Sequence, residues 1–175
     1  VPPGHAAFLG RDWHGDWRFR RIGALLDAQP RPGPARMAAM QADRLSLFAQ
    51  EVLPSLRAAP RAEGPAGAAS DLLAGWDGAM EAARPQPLLF HAALARFGGA
   101  LLARAGVPEG AWRPSPEFLR AVLTDPRTAA AWCGEAGCGA MLAAAMARAV
   151  AELAPLHGAD PAAWRWGEAH EARFE

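Results

Sequence analysis

Apolar residues recur along most of this chain at the three- and four-residue steps of an α-helix, and almost nowhere in the alternation of a strand. Phe19, Ile22, Leu25 and Leu26 set a first helix between Arg18 and Ala28, which Pro30, Pro32 and Pro34 then close. The strongest pattern runs from about Pro34 to Leu56, where Met37, Leu45, Phe48, Val52 and Leu56 predict one apolar stripe on one long helix. Pro34 is harmless in a first turn, whose N–H has no helical partner, and Pro54 is expected to bend or end the helix. Gln41 falls at the centre of that stripe. A buried amide without partners costs on the order of 1–3 kcal/mol, so Gln41 is expected to bond a loop or a neighbouring helix.

Residues 58–67 are rich in Ala, Pro, Gly and Arg and read as a linker. A short helix from about Gly67 leads into Leu72-Leu73-Ala74-Gly75-Trp76-Asp77-Gly78. From about Pro87 to Ala105, Phe90, Leu94, Phe97 and Leu101 share a helix face, and Gly98-Gly99 within it points to close backbone packing. Ser115-Pro116-Glu117 caps a helix through Leu123, and Asp125-Pro126 starts another that ends near Trp132. Leu142, Met146, Ala149 and Leu153 mark a last long helix from Gly139 to Leu156, closed by Gly158. β-Branched residues are few and no internal repeat stands out. The expectation is an all-α fold, an irregular array of about six to eight helices in a single domain over residues 1–175, with 1–17 as a loop lead-in.

Composition narrows the function more than the fold. The 18 basic and 18 acidic residues cancel, leaving no basic field for nucleic acid and no cationic patch for a membrane surface. All the basic residues are Arg, and Lys, Tyr and Asn are absent, a bias that GC-rich coding explains without any phosphate-binding role. No uninterrupted apolar run reaches the ~20 residues that span a bilayer, which predicts a soluble chain. No signal peptide is legible, and Val1-Pro2-Pro3-Gly4 reads like loop from the middle of a protein.

Cys133 and Cys138 are the only cysteines, too few for a tetrahedral zinc site and without a His at ligand spacing. Gly134 and Gly137 would let the loop fold back for a local disulfide, with two free thiols as the alternative; a disulfide implies an oxidising compartment such as a periplasm. His5, His14, His91, His157 and His170 are scattered, and His91, between Phe90 and Leu94, reads as a helix-flank residue. The serines lie on helices or at caps, and none occupies a nucleophile elbow. No phosphate-binding loop is present. Residue chemistry alone supplies no self-contained catalytic constellation.

Two segments resist that generic reading. Trp164-Arg165-Trp166-Gly167-Glu168-Ala169-His170 crowds large side chains and a glycine into seven positions after Asp160-Pro161. In Gly15-Asp16-Trp17-Arg18-Phe19-Arg20-Arg21-Ile22, an arginine at a helix start opposes the dipole, so an anion or a carbonyl is expected to hold it.

Read in order, four blocks resemble the β-chain of the penicillin amidase (penicillin acylase) family of N-terminal nucleophile (Ntn) hydrolases. They are Arg18-Phe19-Arg20-Arg21-Ile22 with Leu25-Leu26; Gln41-Ala42-Asp43 with Ser46, Ala49 and Pro54; Leu73 to Gly78, similar to the family's L-x-x-W-D-G turn at Trp76 and Asp77; and Trp164 to Gly167 with His170, similar to its W-x-W-G-x-x-H element. The loop from Trp132-Cys133 to Cys138 also resembles a paired-cysteine loop of some members.

The resemblance implies a precursor that cleaves itself into an α- and a β-chain, exposing a Ser whose own amino group serves as base for attack on an amide. Oxyanion donors would be backbone N–H groups and an Asn side chain. This chain starts at Val1 and has no Asn, so both are expected outside it, and the chain is expected to be an internal helical segment of the β-chain, inactive alone. Arg18 matches a family arginine that orients the oxyanion Asn and the substrate. Gln41, Trp76, Asp77, Trp166, Gly167 and His170 are carried over as structural positions, the tail being a joint that returns the chain towards the catalytic sheet. A structural calcium is possible in the parent; Asp12 and Asp16 are nearby but misspaced, so no metal is assigned to this segment. The implied partners are the rest of the β-chain, the α-chain and a small acyl amide, in a periplasmic or secreted enzyme. The rival readings are a free-standing α-helical binding module and an inert helical bundle.

Overall fold

The computed structural model describes residues 6–7, 14–29, 31–108, 110–135 and 137–171. Most of the expected lead-in loop, Asp12 included, lies outside the described residues, and Trp17 already belongs to the first helix. The described residues form α1 (Trp17–Asp27), α2 (Pro34–Gln41), α3 (Leu47–Ala58), α4 (Gly64–Ala74), α5 (Gln86–Arg104), α6 (Pro116–Thr124), α7 (Pro126–Cys133), α8 (Gly137–His157), a 3-10 turn (Pro161–Ala163) and a short α9 (Trp166–Ala169). The fold is all-α, with no strand among the described residues.

Two of the expected helix starts are capped as their chemistry requires. Ser115 Oγ accepts the Phe118 N–H, and the Asp125 carboxylate accepts those of Arg127 and Thr128. Gly158, at φ 93°, follows the end of α8 in a conformation that side chains disfavour.

The long helix expected from Pro34 to Leu56 is instead two helices, α2 and α3. Between them Ser46 is extended, and its Oγ accepts the Ala49 N–H at 3.1 Å, capping α3. The backbone on either side is drawn into a short antiparallel contact: Leu45 bridges Ala79, Ser46 N–H donates to Gly78 O, and Met80 N–H donates to Arg44 O. A cap and two non-local backbone hydrogen bonds outweigh helical periodicity there. The change also corrects Gln41, which is exposed at the end of α2 rather than buried in a stripe. Pro54 lies inside α3 on its exposed side, and the helix continues past it to Ala58.

The core sits between α5 and α8, with α3, α4 and α6 packed around them; Leu89, Phe90, Phe97, Leu101, Val52 and Val122 are fully enclosed. Trp76 and Trp164, the two largest buried side chains, join that cluster. Burying a residue of this size contributes about 1.5–3 kcal/mol, provided its polar atom finds a partner. Each indole does: Trp76 donates to Ala79 O at 3.0 Å and Trp164 to Gly158 O at 2.8 Å.

α8 modifies one sequence reading. At 21 residues and a mean hydropathy of 1.3 it is long and apolar enough, by length and composition, to cross a membrane. In the fold, Leu142, Ala145, Met146, Ala149 and Val150 are its buried face, and Arg148 and Glu152 pair on the exposed one, an amphipathic division.

Candidate functional site

Three of the four sequence blocks, far apart in the chain, meet along the loop 76–84, and the first is tied to the second. At its centre is the Trp76-Asp77-Gly78 turn. Arg57, in the last turn of α3, donates to Leu73 O at 3.3 Å and to Trp76 O at 2.6 Å, so it ties α3 to the end of α4 and to the turn that follows. Asp77 Oδ1 accepts the Ala79 N–H at 3.0 Å, and Asp77 O accepts from Gln50 Nε2 at 3.0 Å. Gly78 has φ 90°, and a Cβ there would press on Gln50 Cγ and Ser46 O, each 3.2 Å away. Only glycine suits both the conformation and the space.

On one side this turn meets the second block through the Leu45–Ala79 bridge. On the other it holds the tail: Trp166 N–H donates to Arg84 O at 3.1 Å and Gly167 N–H to Ala82 O at 2.9 Å. A Cβ on Gly167 would sit 3.1 Å from Ala82 Cβ, so the glycine sets how closely the tail can lie. The Trp166 indole stacks on His91 of α5 at 5.1 Å and on His170 at 4.5 Å. Burial, and then the charge of His170, hold the His91 pKa below its ordinary value. His170 is exposed, and its ring contact is with an indole rather than with any nucleophile.

The first block is tied in by a different chemistry. Arg21 grips Asp43 with two parallel bonds of 2.9 and 2.7 Å, which holds the Asp43 carboxyl below the usual range. Arg18, beside it, reaches only Asp43 O, at 3.5 Å, and is exposed. A second anchor is Glu51 on α3, which accepts from Arg20, from Arg120 of α6 and from the Trp17 indole. Burial alone would raise this carboxyl, but the three donors and the charge of Arg120 bring it down to about 2. Sequence reading missed both Glu51 and Arg57. Nothing in their local spacing marks them, because their partners are 16 to 69 positions away.

Cys133 and Cys138 form a disulfide across the bend from α7 to α8, with Gly134 and Gly137 at φ 67° and 69° inside it. Asp16 bonds Arg20, and among the described residues no three of His, Cys, Asp and Glu stand together in a way that could hold a metal ion.

The hydroxyls are all engaged. Ser46 and Ser115 accept cap bonds, Ser55 donates to Leu123 O, Ser70 to Ala66 O, Thr124 to Arg120 O, and Thr128 to Asp125. None of these bonds is to a histidine, so the described residues show no hydroxyl–imidazole pair of the kind that activates a nucleophile.

Among the described residues, the side chains that set this sequence apart build seams between helices. Residues 1–175, the whole chain, match the family described as penicillin amidase, and the chain belongs to that family. No curated protein matches it.

Proposed function

We propose that this chain is the helical part of a penicillin-amidase-like hydrolase that cleaves a linear acyl amide through an N-terminal Ser supplied from outside residues 1–175. The family match supports the hydrolase. The observation that carries the supporting role is the commitment of every serine and threonine hydroxyl to a cap, a backbone carbonyl or the Asp125 carboxylate, with both cysteines in a disulfide.

The surface that meets the catalytic core is the outer face of α1. This helix has no buried residue, and Phe19, 79% exposed, shares that face with Ile22 and Leu26, beside the exposed Arg18. Apolar side chains at this spacing on an unburied helix are suited to docking against a larger body. Arg18 then reaches across to orient the oxyanion Asn and the substrate, its own helix pinned by Arg21–Asp43 and Arg20–Glu51. The seam along 76–84 anchors the point where the tail turns back. The disulfide favours a periplasmic or secreted enzyme.

The test compares the 175-residue chain with a product that also carries the catalytic Ser, on chromogenic phenylacetyl and long-chain acyl amides. Turnover by the longer product alone is expected. Turnover above background by the chain itself, with no Ser added, overturns the reading. The free-standing binding module shares the exposed α1 face, but predicts that no longer product hydrolyses an amide.

A further inference from the structure

A cavity of about 620 Å³ lies between α5 and the 107–114 segment, away from the seam and from α1. Its size falls within the roughly 300–1,000 Å³ typical of small-molecule sites. The floor is a run of small residues on α5, Ala95, Gly98, Gly99 and Ala103. The two glycines have different reasons to be there. A Cβ on Gly98 would stand 3.0 Å from Pro114 Cγ, so Gly98 lets the segment close over the helix. A Cβ on Gly99 would meet nothing within 4 Å, so Gly99 faces the empty groove itself.

The roof is built to hold its shape. Val107 N–H bonds Leu102 O at 2.9 Å, and Ala111 N–H bonds Pro108 O at 3.1 Å. Trp112 stands edge-on to Phe118 at 5.2 Å, which in turn stands against Trp132 at 4.7 Å. Trp112, 46% exposed, lines the cavity together with that floor of small residues.

Among the described residues the charged lining is cationic. Arg96, Arg113 and Arg148 are the charged residues that line the cavity among those described. Arg96 and Arg148 both bond Glu152, at 2.5 and 2.9 Å. Arg113 makes no ion pair or hydrogen bond with the other described residues. A guanidinium at the rim of an apolar groove suits a carboxylate, which it can grip with two parallel bonds. The floor from Ala95 to Ala103 spans eight helical steps, about 12 Å at 1.5 Å per residue, a length that suits a chain-like tail.

We propose that this groove binds a medium-chain monocarboxylate, its tail along Ala95–Ala103 under Trp112 and its carboxylate on Arg113. The ligand class follows from the groove's own lining, whatever amide the parent enzyme hydrolyses.

The test titrates decanoate, below its micelle concentration, into the 175-residue chain, followed by backbone amide NMR, with decanol and acetate as controls. Decanoate is expected to shift amides of 94–119 and to bind more tightly than either control. Gly99→Leu should abolish binding, because its side chain fills the groove, while the fold survives in a helix position with open space around it. Arg113→Gln should weaken decanoate about three- to tenfold, the range of a partly exposed charge-assisted bond, and leave decanol unchanged. No binding by decanoate, or equal binding to the Gly99→Leu protein, overturns the site. Decanol binding as tightly as decanoate overturns the role of Arg113, and acetate doing so overturns that of the apolar floor.

Discussion

Trp166 lies face to face with His91, their ring centroids 5.1 Å apart and their planes 17° from parallel. That stack, with the backbone bonds to Ala82 and Arg84, fixes the tail to α5 and to the 76–84 loop at once. The contact is favourable with a neutral imidazole, the form that the packing around His91 and the nearby charge of His170 favour.

The stack should make stability fall in mildly acidic solution. His91 binds its proton less readily folded than unfolded, so its contribution is complete above the ordinary value of 6.5 and declines as pH drops through it. His91→Phe keeps the ring and should remove that part of the pH dependence. His91→Ala should lower Tm by roughly 1–6 °C, since a ring pair contributes about 0.5–1.5 kcal/mol in a chain of this size. A melting temperature of the unsubstituted chain that is flat from pH 7.5 to 5.5 would contradict this.

A second transition belongs to Glu51 and lies well below the first. Its carboxyl, pulled to about 2, contributes stability that is fully present above about 4.5 and is lost as pH falls towards 2. The contribution is of order 1–3 kcal/mol, and because Arg20, Arg120 and Trp17 converge on it, α1 should detach first. Hydrogen exchange should show residues 17–27 losing protection before α5, and Glu51→Gln should produce the same order at neutral pH. Loss of α5 and α1 together would show that the anchor is not local.

Opening the Cys133–Cys138 bridge should matter moderately. A ring of six residues carries a chain-entropy contribution of about 2 kcal/mol, so the double Cys→Ser chain should melt several degrees lower yet fold to the same helices. Circular dichroism with and without reductant checks it. No change in Tm would mean that the α7–α8 bend is already fixed by packing.

Arg18 separates a positioning role from a merely structural one. Its only hydrogen bond among the described residues is long and exposed, so Arg18→Ala should leave Tm within about 1 °C. In the enzyme that carries the catalytic Ser it should lower kcat by about 10–100-fold with KM nearly unchanged. Equal kcat in the variant would remove Arg18 from the site.

Periodicity located nearly every helix, because amphipathic faces and caps such as Ser115 and Asp125 are local signals. It failed at 42–46, where the preference is decided by Ala79 and Gly78, more than thirty positions away. Gln41 was misplaced for the same reason. The residues of the seam were legible as types: a buried Trp, a turn Asp and a glycine that admits close contact. What joins them was not, since Arg57, Glu51 and His91 act across the fold and carry no mark in their neighbours.

The most direct measurement of the central claim is where the acyl group lands. A slow acyl ester or sulfonyl fluoride that traps the active enzyme, followed by peptide mass mapping, should label an N-terminal Ser outside residues 1–175 and leave every peptide of this chain unmodified. An adduct on Ser46, Ser55, Ser70 or Ser115 would place the chemistry inside the helical array and contradict its supporting role.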